Sequence, residues 1–103
     1  MNAETQFQDN KSLRLLQGGK AGWVALAADC VCFANAAGGV LRIGIEDGAC
    51  APPAHQRIEQ ATLDTLRKRL GELTVNVLLA PERVLAPNGG EYIALRVARS
   101  VGV

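Results

Sequence analysis

The glycine pair Gly38-Gly39 separates a long alanine-rich apolar segment from a short apolar run, and this junction restricts the possible folds more than any other feature. Glycine adopts a positive φ without steric penalty, so the pair predicts the end of a helix and a sharp turn. The preceding segment, about residues 20–36, has apolar side chains at three- and four-residue spacing, which predicts a helix with one buried face. The following run, 40–45, alternates aliphatic residues and predicts a buried strand.

The N-terminal part of the chain predicts a flexible segment followed by a strand. Residues 1–11 are mostly polar, whereas residues 12–17 alternate in a way that predicts the first strand. The domain would then cover residues 12–103, a length that suits one hydrophobic core. Because the chain stops soon after its last predicted strand, a fragment of a longer protein is one expectation.

A second helix is predicted in the middle of the chain. Apolar spacing favours a helix from about residue 55 or 57 to Leu70. Gly71 is expected to stop this helix, because glycine is the usual residue just beyond a helix end.

The last third of the chain predicts a β-hairpin. Strands are expected over residues 74–85 and 91–99, with the Asn-Gly-Gly sequence at 88–90 as the turn. Pro81 indicates an edge strand, because proline cannot donate a hydrogen bond to a neighbouring strand. The full predicted order is β-α-β-α-β-β, which describes a single-domain α/β fold with two helices packed on a four-stranded mixed sheet.

Several basic residues are candidates for contacts with a nucleic-acid backbone, although a net charge of +1 excludes the strongly basic class of binders. The run Arg67-Lys68-Arg69 closes the second predicted helix, where positive charge either contacts phosphates or complements the helix dipole. Lys20 begins the first helix, and a helix N-terminus can bind a phosphate. The remaining candidates lie on or after predicted strands: Arg42, Arg96 and Arg99.

The three cysteines, Cys30, Cys32 and Cys50, show neither disulfide nor metal-ligand spacing. They are expected to be reduced thiols, which is typical of a cytoplasmic protein. No basic-then-apolar leader opens the chain, and no apolar run approaches the roughly 20 residues that span a bilayer. We therefore expect a cytoplasmic location and no contact with a membrane.

The turn Gln17-Gly18-Gly19-Lys20 precedes a helix, as a phosphate-binding loop does, but it lacks the rest of that pattern. A phosphate-binding loop has a further glycine five residues before its Gly-Lys pair and Ser or Thr after the lysine. Arg14 and Ala21 occupy those positions here. The turn therefore predicts the start of a helix rather than a nucleotide site.

Two acidic residues, Glu46 and Asp47, follow the buried strand and are weak candidates for catalysis. A metal-dependent nuclease needs further carboxylates that converge on the same point. The first predicted strand offers none, and Glu4 and Asp9 lie in the segment expected to be flexible. We therefore expect an acidic turn here, with no catalytic site, no metal and no cofactor.

The central stretch also resembles a known family. Phe33-Ala34-Asn35, the glycine pair and the run from Leu41 to Asp47 resemble the core signature of the Schlafen AlbA-type DNA-binding domain family. The resemblance covers roughly residues 12–100 and implies an Alba-like α/β fold that binds DNA, commonly as one module of a bacterial transcriptional regulator. The residues that match the family motif are Asn35, Gly38, Gly39, Gly44 and Asp47.

Vertebrate relatives in this family include enzymes that cleave RNA with acidic residues near the first strand and after the second. Asp47, with Glu46 beside it, matches only the second position. The family's Glu-Phe-Lys-like motif of the first strand has no match in residues 15–20. The resemblance therefore implies an incomplete nuclease site. Some members are described as divergent ATPases, so a degenerate ATP-binding site is a further alternative.

Three functions follow from these observations. The leading hypothesis is a non-catalytic module that binds the backbone of DNA or RNA, since no basic recognition helix stands out. The second is a protein-interaction or homodimerisation domain, because Arg96 and Arg99 flank the small residues Ala94 and Ala98 on a flat strand surface. The third is a degenerate relative of the nucleases or ATP-binding proteins.

Overall fold

Apolar spacing in the sequence produces two helices and four strands around one core. The computed structural model describes residues 7–17, 19–46, 48–75 and 77–99. Strands are numbered β1 to β4 and helices α1 and α2, and a short 3₁₀ helix precedes α1. In chain order the elements are β1 Phe7–Lys11, the 3₁₀ helix Leu13–Gln17, α1 Gly19–Asn35, β2 Gly39–Ile43, α2 Gln60–Leu73, β3 Leu79–Leu85 and β4 Glu91–Val97.

The four strands form one mixed sheet with the order β1-β2-β4-β3. β1 and β2 are parallel, so α1 is the crossover between them. β4 is antiparallel to both β2 and β3. The observed order β-α-β-α-β-β confirms the predicted fold class, and Pro81 lies in an edge strand as its chemistry requires.

Both helices cover the same face of the sheet. Alternate residues of β2 and β4 point to that face, and removing their aliphatic surface from water is the main stabilising contribution. None of the helices that the structure describes is long and apolar enough to cross a membrane. The fully buried side chains at the centre of this layer are Leu26, Cys30, Leu66 and Leu70 from the helices and Leu41, Ile43, Ile93 and Leu95 from the strands.

The prediction for the first strand is wrong in position. β1 is Phe7–Lys11, inside the segment expected to be flexible, and residues 13–17 form a 3₁₀ helix instead of a strand. β1 forms because each of its residues pairs with β2, from Phe7 opposite Gly39 to Lys11 opposite Ile43. The leucines of the 3₁₀ helix pack against the core from the end of the sheet, so they use their apolar surface without strand geometry.

The second helix and the third strand also differ from their predicted limits. α2 continues through Gly71, and the hydroxyl of Thr74 donates a hydrogen bond of 2.7 Å to the Leu70 carbonyl. That bond satisfies a carbonyl at the end of the helix. In many helices a glycine just beyond the last turn allows the backbone to satisfy such carbonyls instead. β3 begins only at Leu79, which pairs with Val97, the last residue of β4. Beyond that pair, the Ala98 N–H still donates a 3.1 Å hydrogen bond to the Leu78 carbonyl.

The junction between α1 and β2 has the geometry that its glycine pair predicts. Gly38 has a φ of +81°, and its N–H donates a 2.9 Å hydrogen bond to the Phe33 carbonyl. A Cβ atom at Gly38 would lie 2.8 Å from the Val97 carbonyl oxygen. Glycine is therefore required at this position by conformation and by space.

The connector between β2 and α2 is fastened to the β3–β4 hairpin by hydrogen bonds. The Gln56 amide nitrogen donates to the carbonyls of Gly44, at 3.0 Å, and Glu91, at 2.8 Å. The Glu91 carboxylate accepts a 2.7 Å bond from the Ile58 N–H. The Asn88 amide donates to the Pro52 carbonyl at 2.8 Å. These bonds fix the start of α2 relative to the sheet.

Two glycine-to-alanine substitutions should affect stability in opposite directions. Gly38→Ala should lower the free energy of unfolding by about 1–3 kcal/mol, because alanine would be held at positive φ. Gly71→Ala, at an exposed helical site with no atom within 4 Å of the new Cβ, should raise it by about 0.5–1 kcal/mol. Urea denaturation of both variants measures the two changes, and equal effects would contradict this account of the junction.

Candidate nucleic-acid interface

The structure distributes the seven basic candidates over both layers of the fold. Two of them, Lys20 and Arg69, line the same depression. By element, Lys20 lies on α1, Arg67, Lys68 and Arg69 lie on α2, Arg42 lies on β2, Arg96 lies on β4, and Arg99 follows β4.

Lys20 and Arg69 are far apart in the sequence but line one open depression of about 500 Å³. We call this depression the cationic hollow. It lies where the first turn of α1 meets the last turns of α2. The rest of its wall is formed by Leu16, Gln17, Gly19, Trp23, Glu72 and Leu73.

The two cations of this hollow are not neutralised by ion pairs between described residues. The guanidinium carbon of Arg69 lies 5.3 Å from the centre of the Trp23 ring, a cation–π contact. Neither Lys20 nor Arg69 takes part in any of the four ion pairs between described residues. Glu72 is the one acidic residue in the wall. The first turn of α1 contains no acidic residue, so the positive end of the helix dipole adds to the local potential.

The basic run on α2 does not act as a single patch. Successive residues of an α-helix point about 100° apart. Arg69 therefore faces α1 and contacts Trp23, whereas Lys68 points to solvent and Arg67 to the other flank of α2. Arg67 and Lys68 would therefore not contact a phosphate that Arg69 binds in the cationic hollow.

Arg42 and Arg96, on the open face of the sheet, already have partners. Arg42 donates a 3.0 Å hydrogen bond from Nε to the Asn10 side chain. Arg96 forms a 3.1 Å ion pair with Glu82. Arg99 lies beside Gly38, at the opposite end of α1 from Lys20. These three candidates do not come together with the cationic hollow.

A second depression of about 500 Å³ adjoins the cationic hollow, because Leu16, Gln17 and Trp23 line both. We call it the threonine hollow, after Thr62 and Thr65 on its α2 side. Its two charged residues are Arg57 and Glu59. The Arg57 guanidinium already donates hydrogen bonds to the backbone carbonyls of Gln56 and Gly89. The rest of its wall is formed by Leu13, Ile58 and Ala61.

The acidic candidates need a correction as well. Asp47 lies outside the described residues, and Glu46 is exposed with a 3.5 Å ion pair to Arg14. The expectation that the first strand lacks an acid is wrong, because Asp9 lies on β1, two residues before Lys11. Asp9, Asn10 and Lys11 thus give β1 an acid-x-lysine order.

An ionised cluster joins β1 to α1. The Lys11 ammonium lies 2.9 Å from Asp29 and 3.1 Å from Asp9. The hydrogen bond with Asp29 raises the pKa of Lys11, against the opposing effect of partial burial. Burial raises the pKa of the neighbouring Cys30 thiol to about 12, and the charge of Asp29 acts in the same direction. Cys30 is therefore an inert core thiol, whereas Cys32 and Cys50 are exposed.

The described residues do not assemble a metal site, because they contain no group of three or more histidine, cysteine, aspartate or glutamate side chains that could hold an ion. Asp9 and Asp29 instead share the Lys11 ammonium.

The described residues that match the family motif lie at the ends of elements and in turns. Asn35 ends α1, and Gly39 begins β2. Gly44 has a φ of +113°, and its N–H donates to the Lys11 carbonyl at 2.7 Å. A Cβ atom at Gly44 would lie 2.7 Å from the Gln56 amide nitrogen. The motif thus fixes turns, and Asp47 is the one member outside the described residues.

The strand surface considered for dimerisation is less accessible than its small residues suggest. Ala94 is only 5% exposed, whereas Ala98 is exposed. Large exposed aliphatic side chains lie instead before and at the end of edge strand β3, at Val75, Leu78 and Leu85. Homodimerisation stays a prediction.

Comparisons of the chain with models of protein families, with curated proteins and with solved structures gave no significant match. The resemblance to the Schlafen AlbA-type family therefore stays a prediction.

Sequence reasoning did not find the contact of Arg69 with Trp23 or the threonine hollow. Both depend on how α2 crosses the start of α1, which no local pattern records. Asp9 was detectable, since the acid-x-lysine order is visible in the sequence once the first strand is placed correctly.

The buried thiol gives a pH dependence of stability that can be measured. The unfolded chain loses the Cys30 proton above the ordinary thiol pKa of 9.0, whereas the folded protein keeps it until about pH 12. The unfolded state then binds fewer protons, so stability falls as pH rises through this window. Urea denaturation from pH 8 to 11 measures how the free energy of unfolding changes with pH. For the unaltered protein, this free energy should fall with pH more steeply than for Cys30→Ala, by up to about 1.4 kcal/mol per pH unit. Parallel curves would contradict the assignment, and the Lys11 contribution cancels because both proteins retain it.

Proposed function

We propose that this protein is a nucleic-acid-binding module that contacts the phosphate backbone of DNA or RNA through the cationic hollow. The observation that carries the proposal is the pairing of Lys20 and Arg69 beside the first turn of α1, with no ion pair to either among the described residues. The family resemblance gives independent support, since it implies DNA binding within regulator-type proteins.

The geometry favours contact with the backbone over reading of sequence. Base-edge readout needs an exposed element with several polar side chains that can enter a groove of the duplex. α1 presents mainly Ala and Val to solvent, and the basic residues of α2 diverge. Phosphates need only correctly placed cations and backbone N–H groups. The cationic hollow supplies that kind of contact.

The contribution of the cationic hollow can be measured by the dependence of binding on salt. Lys20→Gln combined with Arg69→Gln should remove two phosphate contacts and reduce the slope of log K against log salt by about 2. Fluorescence anisotropy with labelled DNA and RNA at several salt concentrations measures the slope.

The matched control is Arg42→Gln combined with Arg96→Gln, which changes the net charge equally on the other face of the sheet. This control should leave the slope unchanged, because both arginines already have partners. Urea denaturation checks that losing the contact with Trp23 leaves the Arg69 variant folded. Equal losses in the two double variants, or binding that does not respond to salt, would contradict the proposal.

As a second candidate we propose RNA cleavage that uses the acid of the first strand. The observation that favours it is Asp9 on β1, next to the strand whose exit carries Glu46. A positioned carboxylate can accept a proton from an attacking hydroxyl, a contribution of roughly 10²–10⁴ to a rate. The described residues supply no metal cluster for such a site, so the candidate rests on the carboxylate alone.

The cleavage candidate is tested with end-labelled RNA in buffers with and without magnesium. Asp9→Asn should slow cleavage by at least about 100-fold, since an amide cannot act as a base. Asp64→Asn, an exposed residue on α2 outside both hollows, is the control and should cleave at the original rate. Intact RNA with the unaltered protein, or full activity in Asp9→Asn, would contradict this candidate.

A further inference from the structure

We infer that the adjoining hollows bind a single-stranded segment of nucleic acid, with phosphate at the cationic hollow and an unstacked base in the threonine hollow. This inference rests on the nucleic-acid binding proposed above and specifies the form of the ligand. It follows from the contrast between two depressions that share a wall yet differ in charge and lining.

The charges of the two hollows match the two parts of a nucleotide. The cationic hollow has two cations against one acid. The threonine hollow has one cation against one acid, and that cation, Arg57, donates 2.8 and 2.9 Å hydrogen bonds to the carbonyls of Gln56 and Gly89. The cationic hollow therefore favours an anionic group. The threonine hollow, on the other side of Trp23 and Leu16, favours an uncharged group.

The lining of the threonine hollow suits a planar group with polar edges. Leu13, Leu16 and Ile58 supply apolar surface, and Thr62 and Thr65 supply hydroxyls that can both donate and accept hydrogen bonds. A nucleobase has the same combination of an apolar face and a polar edge. Single-strand binders commonly combine a cationic groove with aromatic side chains on which bases stack, and Trp23 is the aromatic residue of this wall.

A duplex would not use this second hollow. Its bases are stacked inside the helix, so it would present phosphates to Lys20 and Arg69 and leave the threonine hollow empty. The bases of a single strand are unstacked and can enter a pocket. The pair of hollows therefore favours a single strand over a duplex of the same sequence.

The test compares three ligands: a labelled single-stranded oligonucleotide, its duplex, and a mononucleotide as competitor. Trp23 is the only tryptophan of the chain and lines both hollows, so its fluorescence reports a base bound there. We expect the single strand to quench Trp23 and to bind about tenfold more tightly than the duplex, the difference that one added base contact provides. The mononucleotide carries the same phosphate and base, so in excess it should compete with the single strand for the two hollows.

A filling substitution isolates the threonine hollow. Thr65→Phe occupies the hollow without changing charge, and should lower affinity for the single strand about tenfold while leaving duplex affinity unchanged. Gln60→Phe is the control, since Gln60 is an exposed neutral residue of the same helix that lines neither hollow.

The outcomes separate this inference from the proposed function. Salt-sensitive binding in which the duplex equals or exceeds the single strand, with Thr65→Phe behaving like Gln60→Phe, overturns the inference and leaves the proposed function intact. Absence of salt-sensitive binding to any nucleic acid overturns both. Failure of an excess of the mononucleotide to compete with the single strand also overturns the inference, because a phosphate and a base would then not occupy the two adjoining hollows.

Discussion

The close approach of Gly38 to the backbone of β4 is the constraint on which the arrangement of α1 depends. A side chain at this position would collide with the Val97 carbonyl, so α1 can end directly against the sheet only with glycine there. Near the other end of α1, Gly22 is equally restricted, because its Cβ would lie 2.5 Å from the Leu15 carbonyl. A helix is stiff, so two close contacts near its ends fix its axis. That axis brings Lys20 beside α2.

The elements that could be predicted from the sequence are those whose side chains decide their structure. α1 and β2 were predictable within one or two residues, because their apolar spacing is clear and a glycine pair divides them. β1 was not predictable in this way, because its residues are mainly polar and the strand is defined by backbone pairing with β2. The end of α2 was misjudged for a related reason: the Thr74 hydroxyl closes the helix, so Gly71 has no special conformation to adopt.

The candidate site was predictable as a set of residue types, and its geometry was not. The sequence shows a basic run at 67–69, but a helix separates those side chains by about 100° each and leaves only Arg69 at the cationic hollow. Lys20 reaches the same hollow from a distant part of the chain. Asp9 was discounted because β1 was misplaced, so a single error in strand position hid the acid of the first strand.

The nearly neutral charge of the chain is compatible with binding to phosphates, because most charges are already engaged inside the protein. Lys11, Arg14 and Arg96 form ion pairs, whereas Arg42, Arg57 and Arg83 donate to uncharged oxygens. Of the remaining basic residues, Arg69 contacts the Trp23 ring, and it lines the hollow to which the proposed function assigns a phosphate.

A site with so few phosphate contacts also limits the affinity of one module. Non-specific binding through phosphates typically has dissociation constants of about 10⁻⁴–10⁻⁶ M, and it weakens further as salt rises. Two linked modules on one nucleic acid gain affinity from the effective concentration that the link provides. Under the proposed function, tight binding would therefore need several linked modules, because each cationic hollow would contribute a weak and reversible contact.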